Sequence, residues 1–202
     1  MELTSRIIVE RGVPTRMVKA AELGMIATLR QVHPNPAVRV QDVDGYFPML
    51  QGDQVDARVI EGQLAWAGGG VNVWLTARDL GFVRGDGSRV NFLYGLASDG
   101  GHLIVSGYRL DKHSPESRTE LLTTVVHETG HVLGLVDETA SRHSRKYGFS
   151  GHCINPCTME ASNGIDDTRR TRDKLLGEIA TAGFCNECLQ DLAKLGEKLR
   201  NM

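Results

Sequence analysis

Along the chain, apolar residues recur first at the spacing of a strand and then at that of a helix. Ile7-Ile8-Val9 is a short β-branched run and predicts a strand. From Thr15 to Val32, Met17, Val18, Ala21, Met25, Ile26 and Leu29 return at helical spacing, and Pro34 and Pro36 end the helix. Ala37 to Val43 alternates as a second strand, whereas Asp44–Asp53, with Gly45, Pro48 and Gly52, reads as loop. Val71 to Ala77 predicts a strand with one face in a core; Val90–Ala97 and Leu103–Leu110 predict two more. Arg84-Gly85-Asp86, ahead of the first of these, sits in an ordinary turn composition and is no adhesion signal. Gly68-Gly69-Gly70 lacks the Lys-Ser/Thr of a phosphate loop and reads as a connection. Ser114-Pro115-Glu116 is a strong helix start: a capping hydroxyl, a proline at the first helical position and an acid in the first turn. That helix should run to about Gly134, with further helices over Thr168–Thr181 and Glu187–Leu199. The order implies an α/β fold: a twisted mixed sheet with two helices, followed by a small C-terminal lobe.

Composition narrows the partners. The 202 residues predict one domain, about 1–134 for the sheet and its helices and 135–202 for the lobe. Apolar residues at 41% and charged ones at 24% fit a soluble globular chain, and a net charge of −2 gives no reason to expect nucleic acid or an anionic membrane. The basic run Arg169-Arg170-Thr171-Arg172 is flanked by Asp166, Asp167 and Asp173, as on a solvated helix face. Met1 to Arg6 has no basic region leading into an apolar stretch, and no apolar run approaches bilayer length, so the expected compartment is the cytoplasm. Thiols stay reduced there, and four cysteines are better read as metal ligands than as two disulfides.

The chemistry concentrates on the helix from Ser114. His127-Glu128-Thr129-Gly130-His131 is an H-E-x-x-H arrangement. Four residues at 3.6 per turn bring the two imidazoles to within about 40° of each other, so both can address one ion at the ~2.0–2.1 Å of a zinc–nitrogen bond. Glu128 emerges beside the pair, where a general base can reach a water without ligating the metal. Leu122, Val125 and Val132 face the opposite way, toward a core. The neighbours Thr123, Thr124, Gly130 and Gly134 are small, which is expected to leave room for a metal, a third ligand and a substrate backbone. Gly134 should end the helix in a left-handed turn. Together these features predict a zinc-dependent metallopeptidase that hydrolyses peptide bonds with a metal-activated water and Glu128 as base. The alternative is a non-catalytic zinc-binding interaction module with two structural zincs.

A catalytic zinc takes three protein ligands and keeps one position open. Candidates for the third are Asp137, which stands where the extended motif places a histidine, His143 and His152. His152 lies in Gly151-His152-Cys153-Ile154-Asn155-Pro156-Cys157-Thr158-Met159, with Cys185-Asn186-Glu187-Cys188 further on. Here the sequence resembles the archaemetzincins, a metzincin family. In them the active-site helix leads to a His-Cys pair, a second Cys, a Met two residues later and a distant Cys-x-x-Cys. Gly95-Leu96-Ala97 and Val105-Ser106 through Arg109-Leu110 also look like that family's strands, so the resemblance covers roughly residues 90 to 192. It implies a metzincin-like fold with a backing helix, an active-site helix and a zinc-clipped C-terminal lobe. It further implies His127, His131 and His152 on a catalytic zinc, Cys153, Cys157, Cys185 and Cys188 on a structural zinc, and Met159 as an apolar Met-turn beneath the first metal. The paired spacing of the cysteines agrees with a Cys₄ zinc site. Two departures stand out. Seventeen residues, Leu135 to Gly151, separate Gly134 from His152, and the first cysteine pair is C-x₃-C. The insertion keeps Asp137 open as alternative third ligand, because His127 to Leu135 also looks like the snapalysins, whose third ligand is an aspartate. His143 and Tyr147 within it read as surface-loop residues.

Overall fold

The computed structural model describes residues 4–44, 49–51, 54–64, 70–98, 100–110, 114–136, 143–144, 151–161 and 165–201. In chain order its elements are β1 (Thr4–Glu10), α1 (Thr15–Leu29), β2 (Ala37–Val43), β3 (Met49–Gln51), β4 (Gln54–Asp56), α2 (Ala57–Leu64), β5 (Asn72–Thr76), β6 (Asp79–Val83), β7 (Arg89–Leu93), β8 (Gly95–Ser98), β9 (His102–Ser106), α3 (Pro115–Val132), β10 (His143–Ser144), β11 (His152–Cys153), α4 (Ile165–Gly177) and α5 (Asn186–Arg200). A 3₁₀ turn at Ile179–Thr181 follows α4. Among the described residues, no helix is long and apolar enough to cross a membrane.

The main sheet has the order β2-β1-β5-β9-β8. β1, β2, β5 and β9 run parallel, while β8 pairs antiparallel with β9 and forms one edge. Alternate residues of the central strands bury on opposite faces. Ile7, Val9, Val73, Leu75, Leu103 and Val105 meet Met17, Ala21 and Met25 of α1 and Leu121 and Val125 of α3. Ile8, Trp74 and Ile104 meet Ala57, Ile60 and Leu64 of α2 and Leu80 of β6 on the other side. Double-sided burial explains why these strands are written as continuous apolar runs.

Three expectations need correction. The segment read as loop over Asp44–Asp53 contains β3, which pairs with β4 and opens a second sheet, β3-β4-β6-β7. The two-helix sheet has a third helix, α2, only eight residues long and too short to leave a periodic signature. The helix expected over Thr168–Thr181 ends at Gly177 and continues as the 3₁₀ turn. β6 carries no strand signature in the sequence, because it opens on Asp79 and contains Gly81. That carboxylate is buried and answered by the Arg109 guanidinium at 2.8 Å and the Gln54 amide at 3.0 Å. These hydrogen bonds hold it below the usual carboxylate range, although burial pushes the other way.

The C-terminal lobe has its own apolar cluster of Leu175, Phe184 and Leu192, which also includes Val126 of α3 and Met159. The lobe is therefore packed directly beneath the helix that carries the histidines.

Candidate metal centres

α3 starts as its sequence dictates: the Ser114 hydroxyl accepts the Glu116 N–H at 3.1 Å and Pro115 occupies the first turn. Its far end presents His127 and His131 one turn apart. Gly134, with φ of +78°, closes the helix in the expected left-handed turn, and Gly134 N–H donates to the His131 carbonyl at 2.8 Å. The chain then returns, and β11 brings His152 against the same two rings. Ring centroids lie 4.7 Å apart for His127–His131, 5.2 Å for His127–His152 and 5.0 Å for His131–His152. One nitrogen from each ring falls within 4.8 Å of the others.

The fit to a metal can be tested on the hydrogen bonds. A backbone carbonyl only accepts, so the 2.7 Å contact between His127 Nδ1 and the Thr158 carbonyl makes Nδ1 the donor. The lone pair is then on Nε2, which faces His131 Nε2 at 3.1 Å. Two nitrogens on one tetrahedral zinc at ~2.0–2.1 Å each stand roughly 3.3 Å apart. Burial drives the His131 pKa well below the ordinary value, with the neighbouring His127 and His152 adding to it, so the ring is a neutral donor near neutral pH. Burial likewise lowers His127. The donor set fits a divalent ion of zinc type.

Glu128 is half-buried beside this group. It lies against Gly95 of the edge strand, where a Cβ would come within 2.6 Å of its Cγ and 2.7 Å of Oε1. The Ala97 N–H donates to its carboxylate; burial, the larger effect, pushes the carboxyl up to about 8. A dication on the adjacent imidazoles acts in the opposite sense and favours the charged form.

Met159 is fully buried beneath α3. Its thioether fills the space that a side chain at Gly130 would need, and a Cβ there would collide with Met159 Sδ. This corrects the reading of the small residues around the histidines. Gly130 makes room for Met159, and Thr123 and Thr124 turn their hydroxyls onto the Thr119 and Glu120 carbonyls at 2.8 and 3.0 Å. Gly130→Ala is expected to destabilise the fold by about 1–3 kcal/mol through overpacking, measured as a lower denaturant midpoint at unchanged m-value.

The four cysteines converge as a second group, with one sulfur from each within 4.8 Å of the others and all four free of disulfides. Cys153 and Cys185 sulfurs are 3.9 Å apart, against roughly 3.8 Å for two thiolates on a tetrahedral zinc at ~2.3 Å. Thiol donors from Cys157 and Cys188 pull the Cys153 pKa far down, while the same contacts push Cys157 and Cys188 up. Crowded thiols that can ionise only one at a time form a set that a dication resolves. Asn155 Nδ2 donates to Cys185 Sγ at 3.6 Å. This site also fits zinc.

Of the other third-ligand candidates, Asp137 lies outside the described residues, as do Tyr147 and the side chain of His143, whose backbone pairs with Cys153. Sequence reasoning missed the Thr158 carbonyl, Gly95 and the Ala97 N–H. Two of these are backbone groups and Gly95 acts by the side chain it lacks, so residue type alone did not assign them to the site. It also missed an open cavity of about 410 Å³ along the same edge strand, lined by Arg58, Glu61, Phe82, Leu96, Ala97 and Ser98. The Arg58 guanidinium lies 5.0 Å over the Phe82 ring.

No family model matches the chain. Among characterised proteins it is similar to the archaemetzincin of Pyrococcus horikoshii, 36% identical over an alignment of 113 residues that covers 52% of this chain and 47% of that protein. The chain thus spans about half the length of the curated relative it matches. Its fold is similar to the crystal structure of archaemetzincin from Methanopyrus kandleri, with a TM-score of 0.71 at 20% identity over 98% of this chain and 96% of that one. It is also similar to a zinc-dependent peptidase from Methanocorpusculum labreanum, with a TM-score of 0.63 at 21% identity over 93% and 99%. In sequence across half its length, and in fold across nearly all of it, the chain is archaemetzincin-like.

Proposed function

We propose that the chain is a zinc-dependent peptidase acting on peptide or protein substrates, with 1–202 forming one catalytic unit. His127, His131 and His152 hold the catalytic zinc, and Glu128 is the general base. Cys153, Cys157, Cys185 and Cys188 hold a structural zinc, and Met159 is the apolar floor. The observation that carries this reading is the convergence of three imidazoles beside a carboxyl group that accepts a backbone N–H. A purely structural site has no use for that carboxylate.

When bound, zinc supplies Lewis-acid polarisation of the scissile carbonyl and acidifies water. The remaining work falls to the chain. Thr158 fixes the His127 tautomer through its carbonyl, so that Nε2 presents a lone pair. The Glu128 carboxylate takes a proton from the attacking water and returns it to the leaving amine nitrogen. The substrate backbone lies along the outer edge of β8, which pairs with no further strand among the described residues, as an added strand. Side chains that alternate away from α3 then face the Arg58–Phe82 cavity.

The test is zinc content together with hydrolysis of an unstructured protein such as casein. Hydrolysis is expected to vanish on chelation and to return when zinc is restored. A preparation that binds no zinc would remove the reading. A sharper expectation concerns Ala97→Pro. Proline is tolerated on edge strands where the N–H faces outward, and this N–H serves Glu128. Losing a hydrogen bond to a charged group costs about 1.5–3 kcal/mol, so kcat/KM should fall roughly ten- to hundredfold with zinc content unchanged. An unaltered rate would show that the bond does not orient the base.

A further inference from the structure

We propose that Thr158 is a positioning residue that couples the thiol cluster to the imidazole cluster, so that an ion in one raises the affinity of the other. The proposal rests on the reading that both clusters hold metals.

Thr158 is fully buried and uses three groups on two elements. Its carbonyl accepts the His127 Nδ1–H at 2.7 Å, which leaves Nε2 aimed at His131. Its N–H donates to the Gly183 carbonyl at 3.0 Å, and its hydroxyl donates to the Ala182 carbonyl at 2.8 Å. Ala182 and Gly183 form a left-handed turn, with φ of +54° and +67°. The first is a conformation that alanine does not hold unaided. Gly183 fits because a Cβ there would stand 2.5 Å from Thr158 Oγ1 and 2.8 Å from the Leu175 Cα. Two residues later Cys185 caps α5, whose first turn carries Cys188.

The chain of cause is short. Drawing Cys185 and Cys188 onto an ion fixes the 182–183 turn. The fixed turn holds the Thr158 hydroxyl and N–H, and Thr158 then holds His127. Cys157 precedes Thr158 directly, so the same ion also grips its other side. The link Cys153–His152 is covalent and reaches only the third ligand. Thr158 reaches the helix. By linkage, the enhancement is the same in either direction.

The experiment uses the full chain with cadmium in the thiol cluster, a soft ion for soft donors, read by its thiolate charge-transfer absorption. Cobalt is then titrated into the imidazole cluster against a competing chelator and read by its visible spectrum. A dithiol competitor gives the cadmium affinity with and without cobalt at the imidazoles. In the wild-type chain cobalt is expected to tighten cadmium about tenfold or more, within the range for groups that orient metal ligands. Thr158→Val, which removes the hydroxyl but keeps the N–H bond and the Cys157 link, should lower that factor and the cobalt affinity each by a few-fold, while Thr158→Ser keeps both at wild-type values. A wild-type factor of one, which needs no variant to fold, overturns the proposal. So does a Thr158→Val chain that keeps the wild-type factor and cobalt affinity. Absence of cobalt at the imidazoles in every chain removes the metal-site reading itself, and this proposal with it.

Discussion

Glu128→Gln is expected to leave the chain folded and zinc-loaded while cutting peptide hydrolysis by about 10²–10⁴-fold, the usual contribution of a general acid–base group. The substitution is nearly isosteric, and the side chain must fit a space already bounded by Gly95. The amide oxygen can still accept the Ala97 N–H that holds the carboxylate. What glutamine cannot do is take a proton. The loss should appear in kcat with KM little changed, because the group acts as the transition state forms and not in substrate binding. Zinc content measured on the same sample separates loss of the base from loss of the metal. Undiminished hydrolysis would remove Glu128 from the mechanism. Absence of hydrolysis in the zinc-loaded wild type would favour a zinc-binding interaction module with two structural ions.

The second large effect is expected at Cys188→Ala. Cys188 is fully buried in the first turn of α5, and its sulfur lies among those of Cys153 and Cys157. Structural zinc contributes folding free energy directly, on the order of 10–16 kcal/mol in zinc-finger peptides, and a site with three thiolates and an open position keeps only part of it. A loss of several kcal/mol should fall mainly on the lobe, whose apolar cluster around Leu175, Phe184 and Leu192 surrounds the cysteines. Hydrogen exchange should therefore show α4 and α5 losing protection well before β1, β5 and β9. Replacing the zinc by cobalt should also show a weakened thiolate charge-transfer band. Uniform protection across the chain, with an unchanged cobalt spectrum, would refute a structural zinc held by these four thiols.

Much of this architecture is legible in the amino-acid order. Local rules suffice for α3: the cap at Ser114, the proline after it and the left-handed Gly134 each act within a few residues of themselves. The same holds for the positions of the central parallel strands β1, β5 and β9, although β5, expected to bury one face, is buried on both. Elements that depend on distant partners are harder to read. β6 carries Asp79, which is a poor strand residue until Arg109, thirty positions away, meets its charge. α2 is stable as a helix because Ile60 and Leu64 bury against Trp74 and Ile104, and eight residues alone do not sustain one. Gly130 illustrates the limit within the site. Small size was visible in the sequence, but whether the space would hold a substrate or Met159 depended on a segment nearly thirty residues further on.

By itself the sequence determined the kinds of donor and their local spacing: two imidazoles and a carboxylate on one helical turn, a His-Cys pair and two close pairs of cysteines. Those follow from covalent order and the helical repeat, which act at short range. Only the tertiary structure decided that His152 returns across the insertion to meet His127 and His131, and that the four thiols share one point. It also decided that backbone groups at Thr158 and Ala97 hold the His127 and Glu128 side chains. Closing a loop costs an entropy that depends weakly on its length, so sequence separation says little about which distant donor arrives. Burial of Met159, Phe184 and Leu192 beneath α3 settles it. Backbone donors and acceptors are identical at every position, and packing alone selects the one that faces the site.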